Sequence, residues 1–354
     1  QGEGGERPIL LCSSSRSPSW RGIKGGGPAI VENIAKRPRL PVIDIARGVA
    51  IIAMVFYHLC WDLAFYRFIS VDVGFDPGWV FFARTILFAF MFLVGAGLVL
   101  GHGDGMRWRA FWKRWLFVVG GAGLITIGTW FAFPDSFVYF GVLHAIALTS
   151  LIALPFLFTP LWLTGAVAAL VIGLHFGFAD PLYNQKVFSW IGFWVVPPPT
   201  NDLVPVFPWF GVVLLGVLTM RLVRGGPIEA RMAAIQPRNT VARALGWMGR
   251  WSLVIYLVHQ PLLLAIIMPL SMAMGTQEAN RDVDFLNSCQ VSCEAGGTTA
   301  ALCATYCQCG LEGVKRDDLW DPVFSGMVSA EDQAKLDANN RQCSALIYPE
   351  LETE

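Results

Sequence analysis

Between Pro41 and Met274 the chain runs through seven predominantly apolar stretches, at 42–69, 78–100, 115–134, 138–158, 160–178, 204–223 and 251–273. A hydrocarbon core about 30 Å thick takes about 20 helical residues to cross. Lipid offers no partner for backbone N–H and C=O groups, and unbroken apolar runs fit helices rather than the alternating strands of a barrel. The expected fold is therefore all-α: a polytopic transmembrane bundle of about seven helices. The fourth and fifth runs, parted only by Phe158-Thr159-Pro160, are the least clearly separated. Composition agrees, since 55% of the residues are hydrophobic and 15% charged. A soluble domain carries about 25% charge, so roughly 35 charged residues are missing. Basic and acidic residues balance at 26 each, which gives no global pull toward nucleic acid.

Residues 1–38 are Gly/Ser/Arg-rich, without helical or strand periodicity, and Ile9-Leu10-Leu11-Cys12 is too short for a signal-peptide core. Much of 1–30 is expected to be a tail or an over-extended reading frame. Lys36, Arg37 and Arg39 precede the first run. The loop 101–114 carries Arg107, Arg109, Lys113 and Arg114, and 221–250 carries six more arginines. On the other side, 70–77 has no Lys or Arg and 179–203 has only Lys186. The positive-inside rule then puts the N-terminus in the cytoplasm and, after seven crossings, the C-terminus outside. Trp61, Trp79, Trp115, Tyr139, Trp162, Trp209 and Trp251 stand near run ends and suit interfacial anchoring.

After Met274 the composition changes. Residues 275–354 carry 14 acidic against 5 basic residues and six of the eight cysteines. Three units are expected: the tail 1–38, a membrane domain 39–274 and an exported acidic module 275–354. Cys289/Cys293 and Cys303/Cys307 are both i,i+4 pairs, so each pair lies on one face of a short helix. Glu294-Ala295-Gly296-Gly297-Thr298-Thr299 supplies a turn between them. An antiparallel helical hairpin would join Cys289 to Cys307 and Cys293 to Cys303, leaving Cys309 for Cys343. This is one of 15 connectivities that six cysteines allow. A thiolate metal site competes with it, although the tail holds no His.

Ionisable residues inside a membrane segment usually face a cavity or a partner. The first run, PVIDIARGVAIIAMVFYHLCWDLAFY, holds Asp44, Arg47, His58 and Asp62. At about 100° per residue these four fall within about 60° of one another, with Gly48 nearby. Arg47 and His58 are separated by roughly 16 Å of helical rise. The stripe therefore has a cytoplasmic end, Asp44 and Arg47, and an outer end, His58 and Asp62. An i,i+4 His–Asp pair suits a general base oriented by its carboxylate, or equally a structural bond between helices. His144 matches His58 in depth and is a further catalytic candidate. His259 lies mid-helix in the seventh run and stands between a site residue and a structural one, as His144 does. His175 and His102 are expected to be bystanders, the latter in a loop. Arg84 is a potential partner of Asp62 or Asp76. The sequence contains no Walker motif, no GxGxxG at a strand-to-helix turn and no HExxH. RWRAFWKR at 107–114 sets topology by charge, or grips a phosphorylated cofactor by charge and stacking.

RLPVIDIARGVAIIAMVFYH (39–58), LFAFMFLVGAGL (87–98), YFGVLHAIALTSLI (139–152), PVFPWFGVVLLGV (205–217) and GRWSLVIYLVHQPLL (249–263) resemble the bacterial branch of the heparan-α-glucosaminide N-acetyltransferase-like membrane proteins, a transmembrane acyltransferase group. The resemblance covers roughly 39–268 and neither tail. It implies a multi-pass protein of the bacterial inner membrane. It also implies transfer of an acetyl group from cytoplasmic acetyl-CoA to an amino sugar or glycan hydroxyl outside, directly or through an acetyl-histidine. Under it, His58, Asp62 and His144 become the catalytic candidates. Asp44, Arg47, Arg107, Arg109, Arg114 and His259 become candidates for holding the acyl donor. The eukaryotic members carry their catalytic histidine in the loop after the first helix, and SVDVGFDPG at 70–78 has none. The alternative is a non-enzymatic membrane protein, a transporter-like or envelope-assembly component that presents the disulfide-bonded tail.

Overall fold

A computed structural model describes residues 40–325 and 328–347. The chain divides at Arg39/Leu40. The expectations for 1–38 lie outside the described residues. Among those residues there is no strand, only an isolated bridge between Phe140 and Leu203.

Seven apolar helices stand where the runs predict them. These are α1 (Pro41–Phe65), α2 (Pro77–His102), α3 (Trp108–Ala132), α4 (Val142–Ile152), α5 (Leu161–Gly177), α7 (Val206–Val223) and α10 (Ser252–Met274). The short α6 (Lys186–Ser189) belongs to the connection before α7. Five of the seven are long and apolar enough to cross a membrane, and the protein is a multi-pass membrane protein. α4, with 11 residues, and α5, with 17, are shorter than the sequence led one to expect. The cause is proline: Pro155 opens a 3-10 turn that ends α4's path, and Pro160 caps α5.

α7 is the central helix, with Val213, Leu214 and Val217 fully buried between α2 and α5. Close approach depends on glycine. A Cβ on Gly95 of α2 would run into the Val213 carbonyl, and one on Gly216 of α7 into the Phe92 carbonyl. The outward faces of α2 and α3, with Phe81, Phe88, Phe117 and Leu124, remain exposed, as lipid-facing surfaces require. Trp115 also packs inside the bundle. It is half-buried and its indole N–H donates to the Ala147 carbonyl of α4 at 2.9 Å.

The basic stretches turn out to be structured. α3 begins at Trp108, so Arg109, Lys113 and Arg114 are helical rather than in a loop. Between α7 and α10 lie α8 (Pro227–Ala234) and α9 (Thr240–Arg250), neither of which the apolar runs announced. α9 is capped by Asn239, whose side chain accepts from the Ala242 N–H at 2.7 Å. It packs along α1 so tightly that a Cβ on Gly48 would enter the Leu245 carbonyl and one on Gly249 the Asp44 carbonyl. Arg221 donates to the Phe156 and Thr159 carbonyls, and Arg224 pairs with Asp104. Both bind the protein's own backbone or side chains.

Beyond the left-handed Gly275, the tail forms α11 (Thr276–Ala295), α12 (Ala300–Arg316), α13 (Trp320–Ser325) and α14 (Ala330–Ile347). The disulfides are Cys289–Cys307, Cys293–Cys303 and Cys309–Cys343, the hairpin pairing expected from the spacing. Its apolar core is small, chiefly Leu311, Val314 and Leu319 around the buried cysteines. Covalent staples are what such a module needs. A Cβ on Gly313 would collide with Asn339, whose amide donates to the Gly310 carbonyl at 3.0 Å.

Candidate active site

Asp44, Arg47, His58 and Asp62 all turn inward on α1, but the stripe is not a continuous polar path. Ile51, at about the same angle as His58, is fully buried with Met54 and Ile86 in an apolar plug between the two ends. The site is therefore two clusters.

At the outer end, α1 meets α10. The His58 and His259 rings lie 5.0 Å apart between centroids. His259 Nδ1 is 2.7 Å from the Tyr256 carbonyl oxygen, which can only accept, so Nδ1 carries the proton and Nε2 presents its lone pair. That Nε2 is buried and has no hydrogen-bond partner among the described residues. Asp62 is 2% exposed. It does not bond His58: Oδ1 accepts from the Gln260 amide at 2.8 Å, leaving Oδ2 without a partner among the described residues. The expected i,i+4 His–Asp bond fails because α10 supplies Asp62 with a better-placed donor. Gln260 and Tyr256 were missed by the sequence reading, although both flank His259 in an otherwise apolar run.

His144 is held elsewhere. Its Nδ1 accepts from the Gly141 N–H at 3.2 Å, which leaves Nε2–H to donate to Thr126 Oγ at 3.1 Å. Thr126 in turn donates to the Val138 carbonyl at 2.8 Å. Both imidazole nitrogens are thus used in fixing the start of α4. Beside it, half-buried Asp202 accepts from the Val142 N–H at 3.0 Å, and burial pushes its carboxyl up to about 6. Asp202 is also within electrostatic reach of Tyr256. His175 Nδ1 lies 3.3 Å from the Gly192 carbonyl, away from both clusters. Arg84 is exposed on α2 and pairs with neither Asp62 nor Asp76, which caps α2 instead.

At the opposite end, Arg47 lies 3.6 Å from Asp44 and within electrostatic reach of Arg114. His102 is buried at the end of α2, not in a loop, and feels both Arg107 and Arg114. The Arg107 Nε donates to the Gly101 carbonyl at 2.8 Å, and its backbone N–H donates to His102 Nδ1 at 3.3 Å. The structure thus brings Arg47, Arg107 and Arg114 to one end of the bundle. Arg109 is exposed on the first turn of α3, without an ion pair among the described residues.

Across residues 39–261 the chain matches the family described as heparan-alpha-glucosaminide N-acetyltransferase, catalytic. The chain belongs to this family. Comparison with curated proteins and with solved structures finds no match. The heparan-alpha-glucosaminide N-acetyltransferase family is one of membrane acetyltransferases, which use acetyl-CoA as donor in general. The family match takes in both clusters on α1 and ends just beyond His259 and Gln260, so the cysteine-rich tail lies outside it.

Proposed function

We propose that the protein transfers an acetyl group from acetyl-CoA, bound at the basic end of α1, to an amino-sugar or glycan acceptor that reaches the imidazole end. The membrane domain 39–274 carries this, followed by the tail 275–354. The basic end faces the cytoplasm and the tail faces outside, as the distribution of Lys and Arg supports. Arg47, Arg107 and Arg114 hold the phosphates of CoA, with Asp44 orienting Arg47 and Arg109 adding charge at the rim. The uncharged pantetheine arm is the part able to pass the Ile51–Met54–Ile86 plug.

The observation that carries the reading is the His259 imidazole, with Nδ1–H fixed on the Tyr256 carbonyl and a buried, unpartnered Nε2 facing the site. A lone pair held in that way is what a general base requires. His259 takes the proton of the acceptor amine or hydroxyl as the new N–C or O–C bond forms and the C–S bond of the thioester breaks. The proton then passes from the imidazolium to the departing CoA sulfur. The His58 ring stands 5.0 Å from that of His259. His144 positions α4 rather than entering the chemistry.

Incubating membranes with [14C]acetyl-CoA and glucosamine tests this. Label is expected in the sugar, and absence of label in both sugar and protein contradicts the reading. In that event a non-enzymatic role, with a phenotype lost on deleting the tail but not in His259→Ala, takes its place.

A further inference from the structure

Six arginines lie between α7's last turn and α10, and two of them are bound within the protein: Arg221 on the Phe156 and Thr159 carbonyls, Arg224 on Asp104. The other four, Arg231, Arg238, Arg243 and Arg250, are exposed and make no ion pair among the described residues. From Gly225 to Trp251 the sequence offers one carboxylate, Glu229, and it accepts from the Gly225 N–H at 2.6 Å. We infer that α8 and α9 form a docking surface for the headgroups of anionic phospholipids in the leaflet at the basic end of the bundle, with the outward stripe of α9 at its centre.

α9 presents two unlike faces. Gly246 and Gly249 are buried, and a Cβ on Gly249 would enter the Asp44 carbonyl of α1. On the other side Arg243, Trp247 and Arg250 stand at i, i+4 and i+7, so they share one exposed stripe. Trp251 follows Trp247 by one turn, and their rings lie 6.3 Å apart at 38°. Each is about half exposed, at 53% and 51%. Ile228 and Ile235, at the two ends of α8, are exposed as well. Arginine interleaved with exposed indole and aliphatic groups is the surface of a helix that lies in the headgroup layer. Indole rings favour that depth.

Packing sets the depth independently. α9 meets α1 at Asp44 and Gly48, near the N-terminal end of a 25-residue membrane helix. The stripe therefore stands at the edge of the hydrocarbon, where phosphates are, and guanidinium groups bond phosphate in a bidentate way. Zwitterionic headgroups cancel their own phosphate charge, so four arginines without carboxylate partners favour lipids with net negative charge. The surface is separate from the arginines assigned to the acetyl donor. Arg47 reaches toward Gly97 of α2, whereas Gly48, about 100° further round α1, is covered by Leu245 of α9. A soluble partner is a poorer fit, since indoles at headgroup depth are covered by lipid.

The test is native mass spectrometry of the full chain, released from detergent micelles that hold phosphatidylglycerol and phosphatidylcholine in equal amounts. Wild type is expected to retain phosphatidylglycerol in preference. Arg243→Gln with Arg250→Gln, both at exposed positions that do not threaten folding, should lower that affinity about 25-fold, or about fivefold for each arginine. Arg243→Lys with Arg250→Lys keeps both charges and should keep most of the preference. Equal retention of the two lipids by wild type, a preference that the Gln variant preserves, or a Lys variant as deficient as the Gln one overturns the proposal. Displacement of the lipid by millimolar inorganic phosphate, the mark of a free-anion site, overturns it too. None of these readouts involves acetyl-CoA, so the outcome is independent of the acetyltransferase reading.

Discussion

The two ends of α1 both carry ionisable residues, in opposite settings. At one end Arg47, Arg107 and Arg114 gather, with Asp44 3.6 Å from Arg47, in a setting where two of the three arginines are exposed. At the other, His58, His259, Asp62 and Gln260 are withdrawn between α1 and α10, with three buried polar atoms unpartnered among the described residues. Surplus positive charge near a surface is suited to holding an anion. Unsatisfied buried acceptors are costly, and each calls for a bound water, a ligand or a catalytic role. The apolar plug between keeps the ends distinct, and that division of labour is what substitutions should expose.

The largest effect is expected at the imidazole end. His259→Ala should reduce acetyl transfer by at least about 100-fold, measured with saturating donor, because a positioned base contributes about 10²–10⁴. His144→Ala should instead cost thermal stability, since its two bonds start α4. At the basic end, Arg47→Ala should weaken acetyl-CoA binding about tenfold, as expected for one charge-assisted contact. The rate at saturating donor should hold, which separates the two ends.

A smaller structural effect tests what brings them together. Gly249→Ala drives a methyl group into the Asp44 carbonyl and should destabilise the protein by about 1–3 kcal/mol, read by thermal unfolding in detergent. The smallest effect concerns pH. Burial raises the Asp202 carboxyl to about 6, above its ordinary value, so the folded state holds a proton that the unfolded state releases. Stability should therefore fall as pH rises through about 4 to 6, and Asp202→Asn should flatten that part of the profile.

Much of this was legible in the chain. Apolar run length placed the five long helices, and helical periodicity put four ionisable residues on the inward face of α1. The i,i+4 cysteines gave all three disulfides, because a helical hairpin constrains which sulfurs can meet. α9 was hidden because 11 residues alternating Arg, Trp and small apolar residues inside a basic stretch read as loop. Only tertiary packing against Gly48 shows what its apolar face covers. The partner of Asp62 was hidden too, since Gln260 is far along the sequence and no single-helix projection can supply it. Ile51 was visible at the centre of the stripe, and its angle alone would have marked the break between the two ends.

The central claim is that donor binding and acetyl transfer belong to opposite ends of one helix. Measuring acetyl-CoA affinity and transfer rate side by side for His259→Ala tests it most directly. The account predicts wild-type donor affinity with transfer abolished. Transfer at the wild-type rate, or loss of donor binding together with transfer, would contradict it.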